Sequence, residues 1–338
     1  DEASKAWKEA CKAELVKLQQ GDPDNQALWK RFIDISIGEF NRMYAKLGVR
    51  FDTYRGESYY NDTMPGVVEQ LRKMGLAVES DGALVVNLEE EKLGVAIVRK
   101  SDGGYNYTTS DLACVEMRVK EYDPERIIYV TDARQQLHFK QWFNIAGKMG
   151  YTTKLVHVPF GLMSYQGKAI STREGNLIKL DELLAEAVRR SKEIVLSRTP
   201  DCPNADQLAQ AIGYGAVKYS DLSHDPITDI DFSWDKALAL EGNSGPYLQY
   251  AYARVCSLLD KAAEANAKPA AAFAVVTPQE KQLALQLLQF GATVLRAAEN
   301  YKPSVLADYL FQTAQLYSSF YQNSPVLKSE PAVRDARL

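Results

Sequence analysis

The segment Arg126–Gly161 reads RIIYVTDARQQLHFKQWFNIAGKMGYTTKLVHVPFG and decides the fold. Its pattern predicts a strand at Arg126–Thr131, a helix at Gln135–Met149 and a second strand at Lys154–Val158. A further helix is predicted just before it, at Ser110–Glu121. Strands that alternate with helices of this length indicate a parallel, doubly wound sheet, in which ligands bind beyond the carboxyl ends of the strands. The chain is therefore expected to contain an α/β unit whose ligand side lies where these two strands end.

On either side of this unit the pattern changes. Residues 1–48 predict an amphipathic helical hairpin, because apolar side chains recur there at three- and four-residue steps. The next segment predicts short strands around one helix, with Asp81-Gly82 as a tight hairpin turn. After residue 200 the pattern is almost wholly helical and predicts a separate all-α bundle that begins near Ala216. The additional predicted strands are Arg50–Asp52, Ala77–Glu79, Ala83–Leu88 and Val95–Arg99. The additional predicted helices are Met64–Met74, Leu180–Ser197, Asp206–Ser220, Gly245–Ala265, Pro278–Glu299 and Ser304–Gln322.

The composition is that of an ordinary soluble globular protein, with 338 residues and a formal net charge of -4. This length allows two or three domains. The mild acidity argues against a protein that coats nucleic acid non-specifically, because such proteins carry a basic excess. Cysteines without a CxxC pair indicate reduced thiols and a cytoplasmic location, and the scattered histidines predict no metal site. No apolar run is long enough to span a membrane, so we expect no membrane contact.

A glycine turn at residues 101–104 leads into a predicted helix that carries a candidate binding pair. Tyr107 and Asp111 are four residues apart and would share one face if both are helical. One hypothesis is that the carboxylate faces a cationic ligand. The alternative is that Thr109 or Ser110 caps the helix and Asp111 favours its dipole.

Two further polar stretches lie near the predicted ligand side. Val130–Phe139 joins a strand to a helix, which favours a binding role, although His138 could equally be a satisfied, partly buried helix residue. Gly167–Asn176 combines glycines with lysine, arginine and hydroxyl donors suited to phosphate oxygens. It lacks Walker-type spacing, and a solvated basic loop is the alternative.

The predicted bundle opens with Glu241–Arg254, which carries three tyrosines and an arginine on one helix. These side chains can stack on and hold splayed RNA bases. An aromatic stripe at helical spacing is equally typical of core packing, and Tyr317, Phe320 and Tyr321 raise the same two possibilities.

Taken together, these stretches closely resemble arginyl-tRNA synthetases, a class I aminoacyl-tRNA synthetase family. The resemblance covers essentially the whole chain and includes Phe51-Asp52, Gly56-Glu57-Ser58 and Ser101-Asp102-Gly103-Gly104. It implies an α/β plus all-α fold, with the second half of a Rossmann-like catalytic domain, an α+β insertion and a helical anticodon-binding bundle. The implied domains are residues 1–100 for the connective insertion, 101–165 for the half-fold, 166–215 for the ATP-closing loop and linking helices, and 216–338 for a truncated anticodon-binding domain.

The activity that this resemblance implies is that of an arginine–tRNA ligase. Such an enzyme joins L-arginine to ATP as arginyl-adenylate and passes the arginyl group to the 3′-terminal ribose of tRNA(Arg). Mg²⁺ accompanies the ATP, no tightly bound cofactor is expected, and we expect a monomer. The resemblance assigns arginine binding to Tyr107, Asp111 and Gln135, and ATP binding to His138, His157, Gly161 and Gly175. It assigns catalysis to Lys168, Ser171 and Arg173. The residues that it assigns to tRNA binding are Tyr247, Tyr250, Arg254 and Tyr321.

The sequence departs from the family pattern in two ways. Ala169 and Thr172 stand where the KMSKS signature has lysines, and Arg173 and Lys168 are expected to supply part of the missing charge. No His-x-Gly-His motif is present, and the chain stops in the DALR-like stretch Arg334–Leu338, so we infer a fragment with little activity of its own. The alternatives are a synthetase for cysteine or glutamine, which the carboxylate and the lack of zinc ligands disfavour, and a non-catalytic RNA-binding relative.

Overall fold

A computed structural model describes residues 2–19, 21–165, 167–169, 179–272 and 274–338. The contacts divide the chain into two compact units. One comprises Asp1–Asp52 with Lys179–Leu183, and the other comprises Thr53–Ile178 with Leu184–Leu338.

The first unit contains a helical hairpin, which confirms the prediction for residues 1–48. Its helices are α1 (Glu2–Gln19) and α2 (Pro23–Leu47). The side chain of Asp22 caps α2 by accepting the Asn25 N–H at 3.0 Å. The strand predicted at Arg50–Asp52 is wrong, because that segment is irregular in the structure, where the Phe51 ring packs edge-on against Tyr44 at 4.8 Å.

The second unit begins with an antiparallel sheet packed on two helices. In chain order the elements are α3 (Met64–Lys73), β1 (Ala77–Ser80), β2 (Ala83–Leu88), β3 (Gly94–Arg99) and α4 (Tyr107–Tyr122). Ser80 pairs with Ala83, so Asp81 and Gly82 form a two-residue loop, and both have positive φ (49° and 76°). This geometry confirms the predicted hairpin turn, since such loops need left-handed residues.

A parallel pair of strands follows, as predicted. It consists of β4 (Arg126–Asp132), α5 (Gln136–Lys148) and β5 (Lys154–Phe160), with a 3-10 turn at Ala133–Gln135. The register runs from Arg126 opposite Lys154 to Asp132 opposite Phe160, so both carboxyl ends lie at one edge.

One hydrophobic core joins the antiparallel sheet to the parallel strands. It extends from Tyr60 to Met149 and includes the fully buried side chains of Leu88, Leu112 and Trp142. The boundary predicted at residue 100 lies inside this core, and the functional domain borders stay a prediction.

A third, small sheet joins segments that are far apart in sequence. Its strands are β6 (Met163–Tyr165), β7 (Lys168–Ala169) and β8 (Ile230–Phe232), in the order β7-β6-β8. β6 is antiparallel to β7 and parallel to β8. None of these strands was predicted, because two or three residues are too few for a periodic pattern.

The remaining elements are helices. In chain order they are α6 (Leu180–Arg198), α7 (Ala205–Leu222), α8 (Trp234–Ala237), α9 (Gly245–Glu264), α10 (Pro278–Leu288), α11 (Phe290–Asn300), α12 (Pro303–Asn323) and α13 (Pro331–Arg337). The single helix predicted at Pro278–Glu299 is two helices that meet at Gln289. The Gln289 N–H donates a hydrogen bond to Gln286 O at 3.1 Å. This i to i−3 bond tightens the last turn, where α10 ends.

Glu280 anchors the start of α10 and the end of the chain. Its carboxylate accepts the Thr277 N–H at 2.9 Å, while its own N–H donates to Thr277 Oγ1 at 3.3 Å. Arg337 Nε also donates to it at 2.8 Å. Burial alone would raise the pKa of Glu280, but the hydrogen bonds from Thr277, Val276 and Arg337 hold it below 4.5.

The lowered pKa predicts acid sensitivity. A carboxylate whose folded pKa is depressed stabilises the fold above its ordinary value of 4.5, and this contribution is lost as the pH falls through the folded pKa. We expect Glu280→Gln to lower the free energy of unfolding by about 1.5–3 kcal/mol at neutral pH. We also expect the variant to lose less stability than the parent on acidification. Urea unfolding from neutral pH to below 4.5 measures both; parallel pH curves for the two proteins would contradict this role.

Candidate functional site

The starts of α4 and α5 meet at a hydrogen-bonded pair. His138 Nε2 lies 2.6 Å from Asp111 Oδ2, and these side chains are 27% and 29% exposed. Asp111 lies one turn into α4, and His138 is the third residue of α5, which follows the end of β4. The pair is therefore positioned by two helix starts on the ligand side of the parallel strands.

The other two predicted arginine-binding residues flank this pair. Tyr107 is the first residue of α4, one turn before Asp111, and its side chain is exposed. Gln135 precedes α5 and lies three residues before His138. Residues four apart are neighbours on a helix, so Tyr107 and Asp111 share one face of α4, while Gln135 ends the 3-10 turn before α5. Within the described part of the chain, neither side chain makes a hydrogen bond.

The capping alternative for this helix start is wrong. α4 begins at Tyr107, after Asn106, and no side chain caps it. Thr109 Oγ1 instead donates to Val98 O at 2.6 Å, and Ser110 Oγ donates to Tyr107 O at 3.0 Å. The helix begins three residues before the predicted Ser110, so Asp111 lies past the first turn, where the dipole acts little.

His157 is packed between strand and helix. Its ring stacks on Phe139 with centroids 4.2 Å apart and planes 6° apart, and its Nε2 lies 2.8 Å from Thr131 Oγ1. Burial lowers the pKa of His157 below its ordinary value of 6.5, so the ring is neutral at pH 7. The ring lines a cavity of about 170 Å³ at the end of the strands, whose other lining residues are Gln136, Phe139, Lys140, Phe143 and Pro159. His138 does not line this cavity and belongs with Asp111.

Gly161 follows β5 at a close backbone crossing. Its N–H donates to Pro226 O at 2.8 Å. A Cβ at this position would lie 2.6 Å from the carbonyl of Thr228 and 2.8 Å from the N of Asp229. Only glycine fits here without a shift of the backbone.

We therefore expect Gly161→Ala to destabilise the protein by about 1–3 kcal/mol, the usual cost of overpacking. Gly147→Ala is the matched control, because a Cβ there meets nothing within 4 Å and lies in a helix that alanine favours. Urea unfolding of the three proteins compares them. Equal stability of Gly161→Ala and the parent would show that the crossing relaxes without cost.

Asp231, in β8, holds the start of the predicted ATP-closing loop. Its Oδ1 accepts Ser164 Oγ at 2.9 Å and the Gly167 N–H at 3.2 Å. Lys168 lies in β7, opposite Tyr165. The sequence contains no local signal for Asp231, because it is more than sixty residues from its partners. Three predicted loop residues lie outside the described residues, namely Ser171, Arg173 and Gly175.

The predicted tRNA-binding residues form an aromatic cluster around an arginine. The Arg254 guanidinium lies 4.6 Å from the ring centre of Tyr250 and 5.0 Å from that of Tyr321. Its Nη2 also donates to the Tyr250 hydroxyl at 2.6 Å. Tyr250 is 55% exposed and Tyr321 is 40% exposed, so two helices present a stacked cation to solvent. The fourth residue, Tyr247, is only partly exposed.

Core packing holds for the neighbouring aromatic positions. Tyr247 contacts Phe311 edge-on at 5.9 Å between α9 and α12. Phe320 is buried in the cluster that also contains Leu258 and Val326. Core packing is therefore confirmed for these two residues, and an RNA contact of the exposed tyrosines stays a prediction.

No three His, Cys, Asp or Glu side chains of the described residues come together as a metal site. Of the helices in that part of the chain, none combines the length and apolar character that a membrane crossing requires.

Comparison with known proteins identifies the family. The model for class I (R) tRNA synthetase catalytic domains matches residues 1–234, and that for the DALR anticodon binding domain matches residues 248–338. The arginine–tRNA ligase of Fusobacterium nucleatum subsp. nucleatum is 44% identical over 337 residues, covering 98% of this chain and 59% of the relative. That of Chromobacterium violaceum is 46% identical over 338 residues, covering 96% and 59%. The chain thus spans about 59% of the length of these curated relatives.

Solved structures agree with this result. The crystal structure of arginyl-tRNA synthetase from Plasmodium falciparum superposes with a TM-score of 0.84 at 28% identity, covering 98% of this chain and 57% of that one. Arginyl-tRNA synthetase from Thermus thermophilus has a TM-score of 0.74 at 26% identity, covering 96% and 64%. The predicted α/β plus all-α fold class is confirmed. The chain belongs to the arginyl-tRNA synthetase family, with a class I catalytic-domain segment followed by a DALR anticodon binding segment.

Proposed function

We propose that the whole protein is an arginine–tRNA ligase. The carboxylate of L-arginine attacks the α-phosphorus of ATP, giving arginyl-adenylate and pyrophosphate, and the arginyl group then passes to the 3′-terminal ribose of tRNA(Arg). The observation that carries the proposal is Asp111, held by His138 on the ligand side of a class I half-fold.

Arginine is bound through its guanidinium in this proposal. His138 engages Asp111 Oδ2, and Oδ1 accepts no hydrogen bond from the described residues. That oxygen is available for a planar cation, which a carboxylate and oriented acceptors select over the point charge of lysine. Tyr107, one turn before Asp111 on α4, would supply a hydroxyl, and Gln135, just before α5, an amide oxygen. His138 thus acts as a positioning residue rather than an ATP ligand.

ATP is proposed to bind where β4 and β5 end. The neutral ring of His157 and the side chain of Lys140 line the cavity there, which is too small for a whole nucleotide but large enough for part of one. Gly161, which is assigned to ATP as well, lies at the same edge, where it crosses the backbone of Thr228. The phosphates are assigned to the loop residues Lys168, Ser171, Arg173 and Gly175. Cationic donors there would stabilise the charge that develops during adenylate formation, and Mg²⁺ would enter with ATP as its counter-ion.

The tRNA is proposed to contact Tyr250, Arg254 and Tyr321. A guanidinium between two exposed rings offers a charge for phosphate and flat surfaces for unstacked bases. Tyr247 is assigned a supporting role, because its ring packs against Phe311.

The direct test is aminoacylation by the full-length protein. We expect ATP-dependent attachment of arginine to a tRNA transcript with an arginine anticodon, and no attachment of lysine, cysteine or glutamine. Binding of the transcript without any arginylation would favour the non-catalytic RNA-binding relative instead.

A further inference from the structure

The segment 225–231 lies between the helical bundle and the edge where β5 ends. It runs from the turn after α7 into β8, and it contacts the bundle through Asp225 and the residues after β5 through the rest of its length. We propose that Lys302 and Asp225 are positioning residues whose contact holds this segment in the geometry that the ATP site needs. This inference rests on the proposed function, since it assumes that ATP binds at that edge.

Hydrogen bonds fasten the segment to the residues that follow β5. The Gly161 N–H donates to Pro226 O at 2.8 Å, and the Leu162 N–H donates to Asp229 Oδ1 at 2.7 Å. The Ile230 N–H in turn donates to Leu162 O at 2.9 Å, and from there β8 runs parallel to β6. A shift of the segment therefore moves the end of β5 and the start of β6 with it.

The bundle holds the other end of the segment at the junction of α11 and α12. Lys302 Nζ donates to Asp225 Oδ2. This hydrogen bond lowers the pKa of the Asp225 carboxyl below its ordinary value of 3.8, so the group is ionised at neutral pH. The Lys302 N–H donates to Ala297 O at 3.0 Å, and Lys302 directly precedes α12. The lysine is therefore fixed by the backbone of both helices.

The residue before Lys302 makes a second contact with the catalytic segment. The Tyr301 hydroxyl accepts a hydrogen bond from Arg126 Nη1 at 3.3 Å, at the start of β4. Tyr301 has a positive φ of 56°, in the left-handed region that residues with a side chain rarely adopt. The junction of α11 and α12 thus contacts the parallel strands through Tyr301 and the ATP edge through Asp225.

The contact between Lys302 and Asp225 is half-buried, which sets the size of the expected effect. The two side chains are 43% and 40% exposed. Exposed ion pairs of this kind change an equilibrium by about 2- to 5-fold. Without the pair, the segment populates other positions, and the apparent affinity for ATP falls with the fraction of molecules that keep the competent one. The pair shares no residue with the cluster around Arg254, so tRNA affinity is not expected to follow.

The test compares the KM for ATP with the affinity for tRNA in the full-length protein. Lys302→Ala and Asp225→Asn should each raise the KM for ATP in arginylation by about 2- to 5-fold at saturating arginine and tRNA. Both should leave the affinity for labelled tRNA, measured by fluorescence anisotropy, near that of the parent. The double variant Asp225→Lys with Lys302→Asp restores an ion pair of opposite polarity and should bring the KM for ATP back toward the parent value, a recovery that general destabilisation would not produce.

Lys192→Ala is the matched control. Lys192 pairs with Asp206 between α6 and α7, and its side chain is 43% exposed, as is that of Lys302. The control removes the same type of ion pair at a distance in sequence from the segment and from the residues after β5. Its KM for ATP should equal that of the parent.

The outcomes separate this inference from the function on which it rests. If the parent arginylates tRNA and both single variants keep its KM for ATP, the positioning role is wrong and the proposed function stands. If the control raises the KM equally, or if the single variants lose tRNA affinity by the same factor, the effect does not belong to the ATP edge and the positioning role is again wrong. If the parent does not arginylate tRNA, the proposed function fails and the inference fails with it.

Discussion

Replacing Asp111 by Asn in the full-length protein is expected to raise the KM for arginine by at least about 30-fold, the lower end of the cost of removing one partner of a charge pair. The lower end applies because the Asp111 side chain is 29% exposed. The asparagine keeps the shape but cannot neutralise the guanidinium. The interaction is made equally in the ground state and the transition state, so kcat should change much less than KM. Steady-state arginylation measures both constants.

Glu116→Gln provides the matched control. It is the same carboxylate-to-amide change on the same helix, where Glu116 pairs with Lys120 four residues later. Helix pairs four residues apart contribute only about 0.3–0.5 kcal/mol, and Glu116 is not a predicted arginine-binding residue, so arginine kinetics should stay at the parent values. Unchanged arginine kinetics in Asp111→Asn as well would show that the amino-acid pocket lies elsewhere.

Arg254→Ala is expected to weaken tRNA binding by about 5- to 150-fold and to leave the KM for arginine near that of the parent at saturating tRNA. The substitution removes the cation that lies against Tyr250 and Tyr321 and the hydrogen bond that orders the Tyr250 hydroxyl. Arg254→Lys should recover only part of the affinity, because an ammonium group cannot stack as a plane. Anisotropy titration with labelled tRNA measures the affinity.

Tyr252→Ala tests whether the effect belongs to the cluster. Tyr252 is an exposed tyrosine on the same helix and has no guanidinium over its ring among the described contacts. We expect its removal to change tRNA affinity much less than Arg254→Ala. Equal losses for the two variants would assign binding to the general surface of α9.

The parallel strands and the hairpin were predictable because their signals are local. The segment from Arg126 to Gly161 has the periodicity of a strand, then a helix, then a strand. In the structure its two strands pair in one parallel sheet. The Asp81-Gly82 turn needs positive φ at two residues, and Asp-Gly is a residue pair typical of such turns.

The features that could not be predicted depend on distant partners. β6 and β8 are three residues each and exist because they pair with each other across more than sixty residues. The hydrogen bonds of Asp231 to Ser164 and Gly167 could not be predicted either, because they span a similar distance in sequence. The break at Gln289 was also missed, because the sequence pattern of Pro278–Glu299 predicts one helix.

The pairing of Asp111 with His138 could not be predicted from the sequence, and the roles of the candidate site residues stay a prediction. Tyr107, Asp111 and Gln135 were assigned together from the resemblance; Tyr107 and Asp111 lie one turn apart on α4, and Gln135 lies just before α5. His138 was assigned to ATP, and its contact with Asp111 was not foreseen because the two residues are 27 positions apart. Such a contact follows from the helix packing and not from any local pattern.

The most direct test of guanidinium recognition by Asp111 compares arginine with citrulline, its uncharged analogue, by calorimetric titration of the full-length protein and of Asp111→Asn. We expect the parent to bind arginine at least about 100-fold more tightly than citrulline, because the Asp111 carboxylate can pair with the charged guanidinium but not with the neutral group that replaces it in citrulline. We expect this ratio to fall toward one in the variant. A ratio that is the same in both proteins would contradict the proposed role of Asp111.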